Sequence, residues 1–229
     1  VHTARVTERA PWASWNKHRA GVDLKDDLMR GAEQFAAMRL SAAVIGHSSS
    51  SFIGGKGWDE AVVEMLSGIL DADTAVTTNG LDTLAALRAS GVRRPFLVLP
   101  PWFNDKTIDA GLRYYAEHGL KPAEHLSYDP GPKWRDVAPG DLTRQGLGFA
   151  QEVEPLHAQI KANCPATADG VLIAGTGFRC VAILNALERD LKRPVLSANQ
   201  TSLWHGLRLA GVAARVSGEI SGYGKLFKL

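Results

Sequence analysis

The stretch Ala42-Ala43-Val44-Ile45-Gly46-His47-Ser48-Ser49-Ser50-Ser51-Phe52-Ile53-Gly54-Gly55 decides the fold. Its first five residues are a short apolar run, the mark of a buried strand. Small polar residues follow, and then Trp58 to Leu70 sets Val62, Val63, Leu66, Ile69 and Leu70 at helical spacing. The same succession recurs along the chain. Strands are expected at Thr74–Thr77, Pro95–Leu99, Pro122–Ser127, Gly170–Ala174 and Pro194–Ser197. Helices are expected at Leu81–Ala89, Lys106–His118, Ala150–Ala162 with a kink at Pro155, Val181–Leu191 and Thr201–Ala210. Strands separated by helices of this length argue an α/β fold with parallel sheets.

Composition narrows the rest. The chain has 229 residues, enough to bury a core in one large domain or two small lobes. Lys and Arg number 26 against 24 Asp and Glu, so no field of one sign favours nucleic acid or an acidic membrane. Two cysteines, Cys164 and Cys180, exclude a disulfide scaffold and a cysteine zinc cluster. No run approaches the ~18 apolar residues of a membrane span. Val1 to Ala10 has no apolar core and reads as no signal peptide, which points to the cytoplasm. Residues 127–148 are irregular and rich in Pro and Gly, and are expected as a loop near the site. The Gly218/Gly222/Gly224 pattern after Val216 suits a short hairpin or an oligomer contact.

Ligands of parallel α/β sheets sit at the carboxyl ends of strands, and three such ends carry small polar residues. The first is His47 with Ser48, Ser49, Ser50 and Ser51, where hydroxyl and amide donors suit a carboxylate or phosphate; a serine-rich helix cap is the plain alternative. The ordinary pKa of His47, ~6.5, suits proton transfer near neutrality. The second is Gly175-Thr176-Gly177, which lacks the third glycine and the later acidic residue of a dinucleotide fingerprint. The third is Asn199 after Ser197-Ala198, which Thr78-Asn79 repeats at an earlier strand end. These echoes suggest two similar lobes. Trp102, after Pro100-Pro101, either walls a pocket or packs on the fold. No histidine pair has the spacing of a metal site.

The segments His47–Glu60, Val171–Arg179 and Arg193–Val212 resemble the Asp/Glu racemase superfamily, in its maleate cis-trans isomerase and arylmalonate decarboxylase branch. The resemblance runs from about Val1 to Val212. It implies two pseudo-symmetric Rossmann-like lobes with an active site in the cleft between them, no cofactor, no metal, and often an oligomer. It sets one lobe at residues 1–90 and 195–229, less a first strand expected upstream, and the other at 91–194. The family's two cysteines fall on His47 and Gly175, so neither thiol is present; arylmalonate decarboxylases keep only the second. Ser48, Ser49, Ser50 and Ser51 match the carboxylate-binding loop, and Thr78, Asn79, Thr176, Gly177 and Asn199 match other pocket positions. A family tyrosine falls on Trp102.

The expectation is therefore a cofactor-independent enzyme acting on a small carboxylic acid. It would decarboxylate or isomerise by proton transfer, with His47 in place of the family thiol. Two alternatives stay open: a hydrolase or lyase of a small cyclic amide, lactone or ester, and a non-catalytic binder of small acids. Neither nucleic acid nor membrane is expected as a partner.

Overall fold

The computed structural model describes residues 1–216 and 220–229. The chain opens with a hairpin of two three-residue strands, β1 (Ala13–Trp15) and β2 (Val22–Leu24), followed by helix α1 (Asp26–Ala36). Strand β3 (Ala42–Ile45) then leads through α2 (Ser48–Gly54) and α3 (Trp58–Ser67) to β4 (Ala75–Thr78) and α4 (Asn79–Ala89). The second half runs β5 (Pro95–Leu99), α5 (Asp105–Glu117) and β6 (Glu124–Ser127). Two four-residue helices follow, α6 (Pro139–Leu142) and α7 (Leu147–Ala150). Next come α8 (Val153–Asn163), β7 (Gly170–Ile173), α9 (Leu184–Leu191), β8 (Val195–Ser197), α10 (Ala198–Leu209) and α11 (Ala213–Val216).

Two parallel sheets organise the chain. Strands β3 and β4 form one, and the second has the order β6-β5-β7-β8. In β5 alternate residues face opposite ways. Leu97 and Leu99 join Leu172 and Leu196 against α2, α4, α5 and α10, through Phe52, Leu84, Leu87, Tyr114 and Trp204. Phe96 and Val98 face the other way, with Val171, Ile173 and Val195, against α8 and α9. Sheets covered on both faces read as continuous apolar runs, which is why these strands stand out in the sequence. A third core lies under the hairpin, where Ala13, Val22, Leu28, Ile45, Trp58 and Val62 meet.

Strand β8 pairs with β7 at Val171–Val195 through Ile173–Ser197, so residues 195–197 belong to the larger sheet. Helix α10 then crosses back onto α4 and β3. The repeated unit is visible here. Thr78 and Ser197 each end a strand and cap the next helix, accepting from Leu81 N and Gln200 N. Pro155 causes no kink, because it lies in the first turn of α8, where the missing N–H has no partner to lose. Residues 220–229 hold a short 3-10 turn, Leu226–Lys228, and no hairpin; Gly218 lies outside the described residues. No helix among the described residues is long and apolar enough to cross a membrane.

Helix α1 opens on Asp26 and Asp27 and buries one face through Leu28, Gly31 and Ala32. The hairpin carries little strand signal of its own. Indole donors fix the hairpin instead. Trp58 Nε1 donates to Ala13 O at 3.0 Å, and Trp15 Nε1 donates to Gly54 O at 2.8 Å. Trp12 Nε1 donates to Glu8 O at 2.9 Å. These bonds bring residues 6–12 to the carboxyl end of β3.

Candidate active site

The carboxyl ends of β3, β5 and β7 open on one cleft of about 680 Å³. His47, Ser48 and Ser49 come from the first sheet, and Gly175, Thr176 and Gly177 from the second. Trp102 and Phe103 follow β5, while Pro139, Gly140, Asp141 and Thr143 close one side from the irregular stretch. Thr176 Oγ1 donates to Gly46 O at 2.9 Å and ties the two loops together.

His47 is held by a chain of hydrogen bonds with one direction. The amide of Trp12 donates to Ser50 Oγ at 2.9 Å, and Ser50 Oγ lies 2.7 Å from His47 Nδ1. Ser50 is fully buried and its hydroxyl has no other acceptor among the described residues, so its hydrogen turns to Nδ1, and the ring proton of neutral His47 sits on Nε2. Nε2 lies 3.3 Å from Ser49 Oγ, so Ser49 accepts from His47 and keeps its own hydrogen for a ligand. The Trp12 indole stacks on the imidazole at 4.0 Å and 2°. Burial first, and the charge of Lys25 second, push His47 down to about 4. Near neutrality it is a neutral ring with an N–H, not the imidazolium acid that its ordinary pKa suggested.

Several expected pocket residues are spent inside the protein. Ser48 Oγ donates to Asn79 Oδ1 at 2.6 Å, and Asn79 Nδ2 donates to Ala198 O and Ser202 Oγ at 2.8 and 2.9 Å. The carbonyl of Ala198 can only accept, which fixes the amide and commits the Ser48 hydrogen to Asn79. Ser48 therefore offers the cleft a lone pair and not a donor. Ser51 and Thr78 donate to Asp59 Oδ1, and Tyr114 OH donates to Asp59 Oδ2 at 2.8 Å. Asp59 is fully buried, and burial raises its pKa against the pull of those three hydroxyls. Asn199 Nδ2 donates to Thr176 O at 2.8 Å and braces the second loop from behind. Ser50, Ser51, Thr78, Asn79 and Asn199 thus shape the cleft without lining it.

No cysteine lines the cleft among the described residues. Gly175 has φ +95°, and a Cβ there would stand 2.8 Å from Pro100 Cγ, so this position takes only glycine without strain. Cys180 is buried and pushed up to about 12 by desolvation, an inert thiol. A Ser/His/Asp trio does exist elsewhere, in Ser202, His205 and Asp82. Its serine and its histidine both bond the carboxylate, at 2.6 and 2.7 Å, which leaves the serine without the histidine partner that activates it. Among the described residues no group of three or more His, Cys, Asp or Glu side chains is placed to hold a metal ion.

The structure adds lining residues that the motifs did not suggest: Glu8, Arg9 and Trp12 from the segment before the hairpin, with Ile53 and Asn104. Arg9 is the one Lys or Arg lining the cleft among the described residues. Trp12, Ile53, Trp102 and Phe103 give it an apolar side. Trp102 packs edge-on against Phe178 at 5.7 Å between centroids. In the sequence this wall showed only as Trp102 after Pro100-Pro101 and as tryptophans in a segment that lacks a strand or helix pattern.

The family model described as arylmalonate decarboxylase matches residues 18–227. No curated protein matches the chain. Among solved structures, a crystal structure of arylmalonate decarboxylase superposes with a TM-score of 0.67 at 23% identity, covering 89% of this chain and 81% of that one. The maleate isomerase Iso from Pseudomonas putida S16 gives 0.74 at 18% identity, covering 88% and 75%. A Nocardia farcinica maleate cis-trans isomerase gives 0.72 at 15% identity, covering 87% and 76%.

Proposed function

This chain belongs to the arylmalonate decarboxylase family, and from that premise we propose that it decarboxylates a malonate bearing an apolar, aryl-sized substituent. The observation that carries the reading is the directed chain from Trp12 through Ser50 and His47 to Ser49. It ends on a free hydroxyl in a cleft with one apolar wall and one arginine. The apolar wall takes the substituent, and Arg9 draws in the dianion.

The reaction follows from the donors. The bond between the α-carbon and one carboxylate breaks, carbon dioxide leaves, and the electron pair passes into the remaining carboxylate as an enediolate. Charge grows on the oxygens of that group. Ser49 O–H, backed by the Nε2–H of His47, donates to one of them. Thr176 and Gly177 line the same cleft, and their amides donate to no backbone acceptor. One well-placed donor of this kind is worth ~3 kcal/mol in the transition state. A proton then reaches the α-carbon and completes the acid product. His47 serves as a neutral donor that orients Ser49, because a pKa of about 4 leaves only about one ring in a thousand charged at pH 7.

Two other chemistries fit the residues less well. Thiolate addition to a double bond needs a cysteine that the cleft lacks among the described residues. Hydrolysis through a serine needs a histidine aligned by a carboxylate, and His47 Nδ1 faces Ser50 instead.

The test is incubation with phenylmalonate, methylmalonate and maleate, followed by proton NMR. Conversion of phenylmalonate to phenylacetate, slowed at least about 100-fold in Ser49→Ala, is the expected result. Binding of phenylmalonate without conversion would favour the non-catalytic alternative and overturn the proposal.

A further inference from the structure

The part given to Ser49 depends on how the His47 ring is turned, and the two edge contacts of the ring are unequal. Ser50 Oγ lies 2.7 Å from Nδ1, a short hydrogen bond. Ser49 Oγ lies 3.3 Å from Nε2, at the long end for such a bond, so a small tilt of the ring breaks it. No other side chain among the described residues bonds these nitrogens. The remaining hold is on the ring face. The Trp12 indole lies 4.0 Å from the imidazole with 2° between the planes. Stacked aromatic rings attract beyond the area they bury, and a parallel pair fixes the plane of each partner.

Trp12 is itself held at several points. Its amide donates to Ser50 Oγ at 2.9 Å, the same hydroxyl that meets His47 Nδ1. Its indole N–H donates to Glu8 O at 2.9 Å. The residues before it are fastened to the start of α1. Thr7 N and Oγ1 donate to Asp27 Oδ2 at 2.6 and 2.7 Å, and Lys25 Nζ donates to Arg9 O at 2.7 Å. The two Thr7 bonds, helped by Arg30, hold Asp27 down to about 2, so this anchor is charged throughout the neutral range. The indole therefore reaches the His47 ring from an anchored segment that belongs to neither parallel sheet.

We propose that Trp12 is a positioning residue for the decarboxylation, its indole face holding the His47 ring in the plane that turns Nε2–H to Ser49, an assignment that rests on the decarboxylase reading. Without the stack the imidazole swings about its side-chain bonds and the long contact to Ser49 is lost first. Ser49 then lacks the donor that leaves its own hydrogen for the substrate oxygen. Misplacing such a group by ~1 Å costs up to ~100-fold in rate. Trp12 also belongs to the apolar side of the cleft. The two contributions separate in kinetics, because the wall acts on KM and the hold on His47 acts on kcat.

The experiment is a double-mutant cycle on the full chain: the parent, Trp12→Ala, Ser49→Ala and the two together, with Trp12→Phe as the conservative variant. Phenylmalonate turnover gives kcat and KM. Nitrogen-15 NMR of the imidazoles at pH 7.5, with His47 assigned by its absence in His47→Gln, gives the tautomer. We expect Trp12→Ala to lower kcat at least about 10-fold, with partial recovery in Trp12→Phe, which still stacks. With Ser49→Ala already present, Trp12→Ala should change kcat less than about threefold further. The parent should show the Nε2–H form of His47 alone, and Trp12→Ala a mixture of both tautomers. An equal loss of kcat with and without Ser49 would overturn the assignment and make Trp12 a support of the fold. A rise in KM alone would overturn it too and leave Trp12 a wall, and a Trp12→Phe variant as slow as Trp12→Ala would remove the stack as its means. A parent chain that converts no phenylmalonate would overturn the decarboxylase reading. An Nε2–H form unchanged in Trp12→Ala would overturn the hold on His47, whatever the substrate.

Discussion

Lowering the pH should cost this fold more than it costs a His47→Gln variant, and the amount follows from the burial of one ring. The unfolded chain binds a proton at His47 with a midpoint near 6.5, and the native ring only near 4. Between those values the unfolded state holds more protons, so stability rises with pH and is lost as pH falls through this window. At pH 4.5 the unfolded histidine is about 99% charged and the native one about a quarter, which converts to a loss of about 2–3 kcal/mol relative to pH 7.5. Glutamine keeps polar contacts to Ser49 and Ser50 and removes the titration. Asp59, whose raised pKa acts with the opposite sign, is present in both proteins and cancels. Urea unfolding at pH 7.5 and 4.5, followed by tryptophan fluorescence, gives the difference directly. A parent chain whose loss matches that of His47→Gln within about 0.5 kcal/mol would refute the reasoning. His47 would then be charged in the native cleft, and the role of neutral donor would fall with it.

Other perturbations follow from the same geometry. Asp59→Ala strands the hydroxyls of Ser51, Thr78 and Tyr114 in the interior, and should lower unfolding stability by at least about 3 kcal/mol in urea titration; a loss under about 1 kcal/mol would show that they find other partners. Gly175→Cys meets Pro100 and a positive φ, so it should cost about 1–3 kcal/mol of stability in the same assay. An unchanged midpoint would mean that the loop relaxes freely. Trp102→Ala should raise KM for phenylmalonate about tenfold or more and leave methylmalonate nearly unchanged, because only the aryl group uses the apolar wall. Equal effects on both substrates would take Trp102 out of specificity.

The central strands were plain in the sequence as unbroken apolar runs, Ala42–Ile45, Pro95–Leu99 and Gly170–Ile173, the last two buried on both faces, and the small residues after them marked the loops that meet at the cleft. Helix α1 and the hairpin were not seen. Three-residue strands are shorter than any alternation can register, and the hairpin is held by the indoles of Trp15 and Trp58 reaching backbone carbonyls far along the chain. That β8 pairs with β7 could not be read either, because a strand shows its own burial but not its neighbour. Site residues divided along a similar line. His47, Ser48, Ser49, Trp102, Gly175, Thr176 and Gly177 follow strands, and such positions line the cleft. Which hydroxyl was free could not be read, because Ser48 and Ser49 are alike in sequence and differ only in facing Asn79 or His47. Glu8 had no motif around it; only the stacking of Trp12 on His47 brings that segment to the cleft.

The most direct test of the account is the parent chain with phenylmalonate in heavy water, followed by NMR. The account predicts phenylacetate carrying deuterium at the α-carbon, formed at a rate that falls at least about 100-fold in Ser49→Ala. Phenylmalonate left unchanged by the parent chain, with no deuterium at its α-carbon, would contradict it.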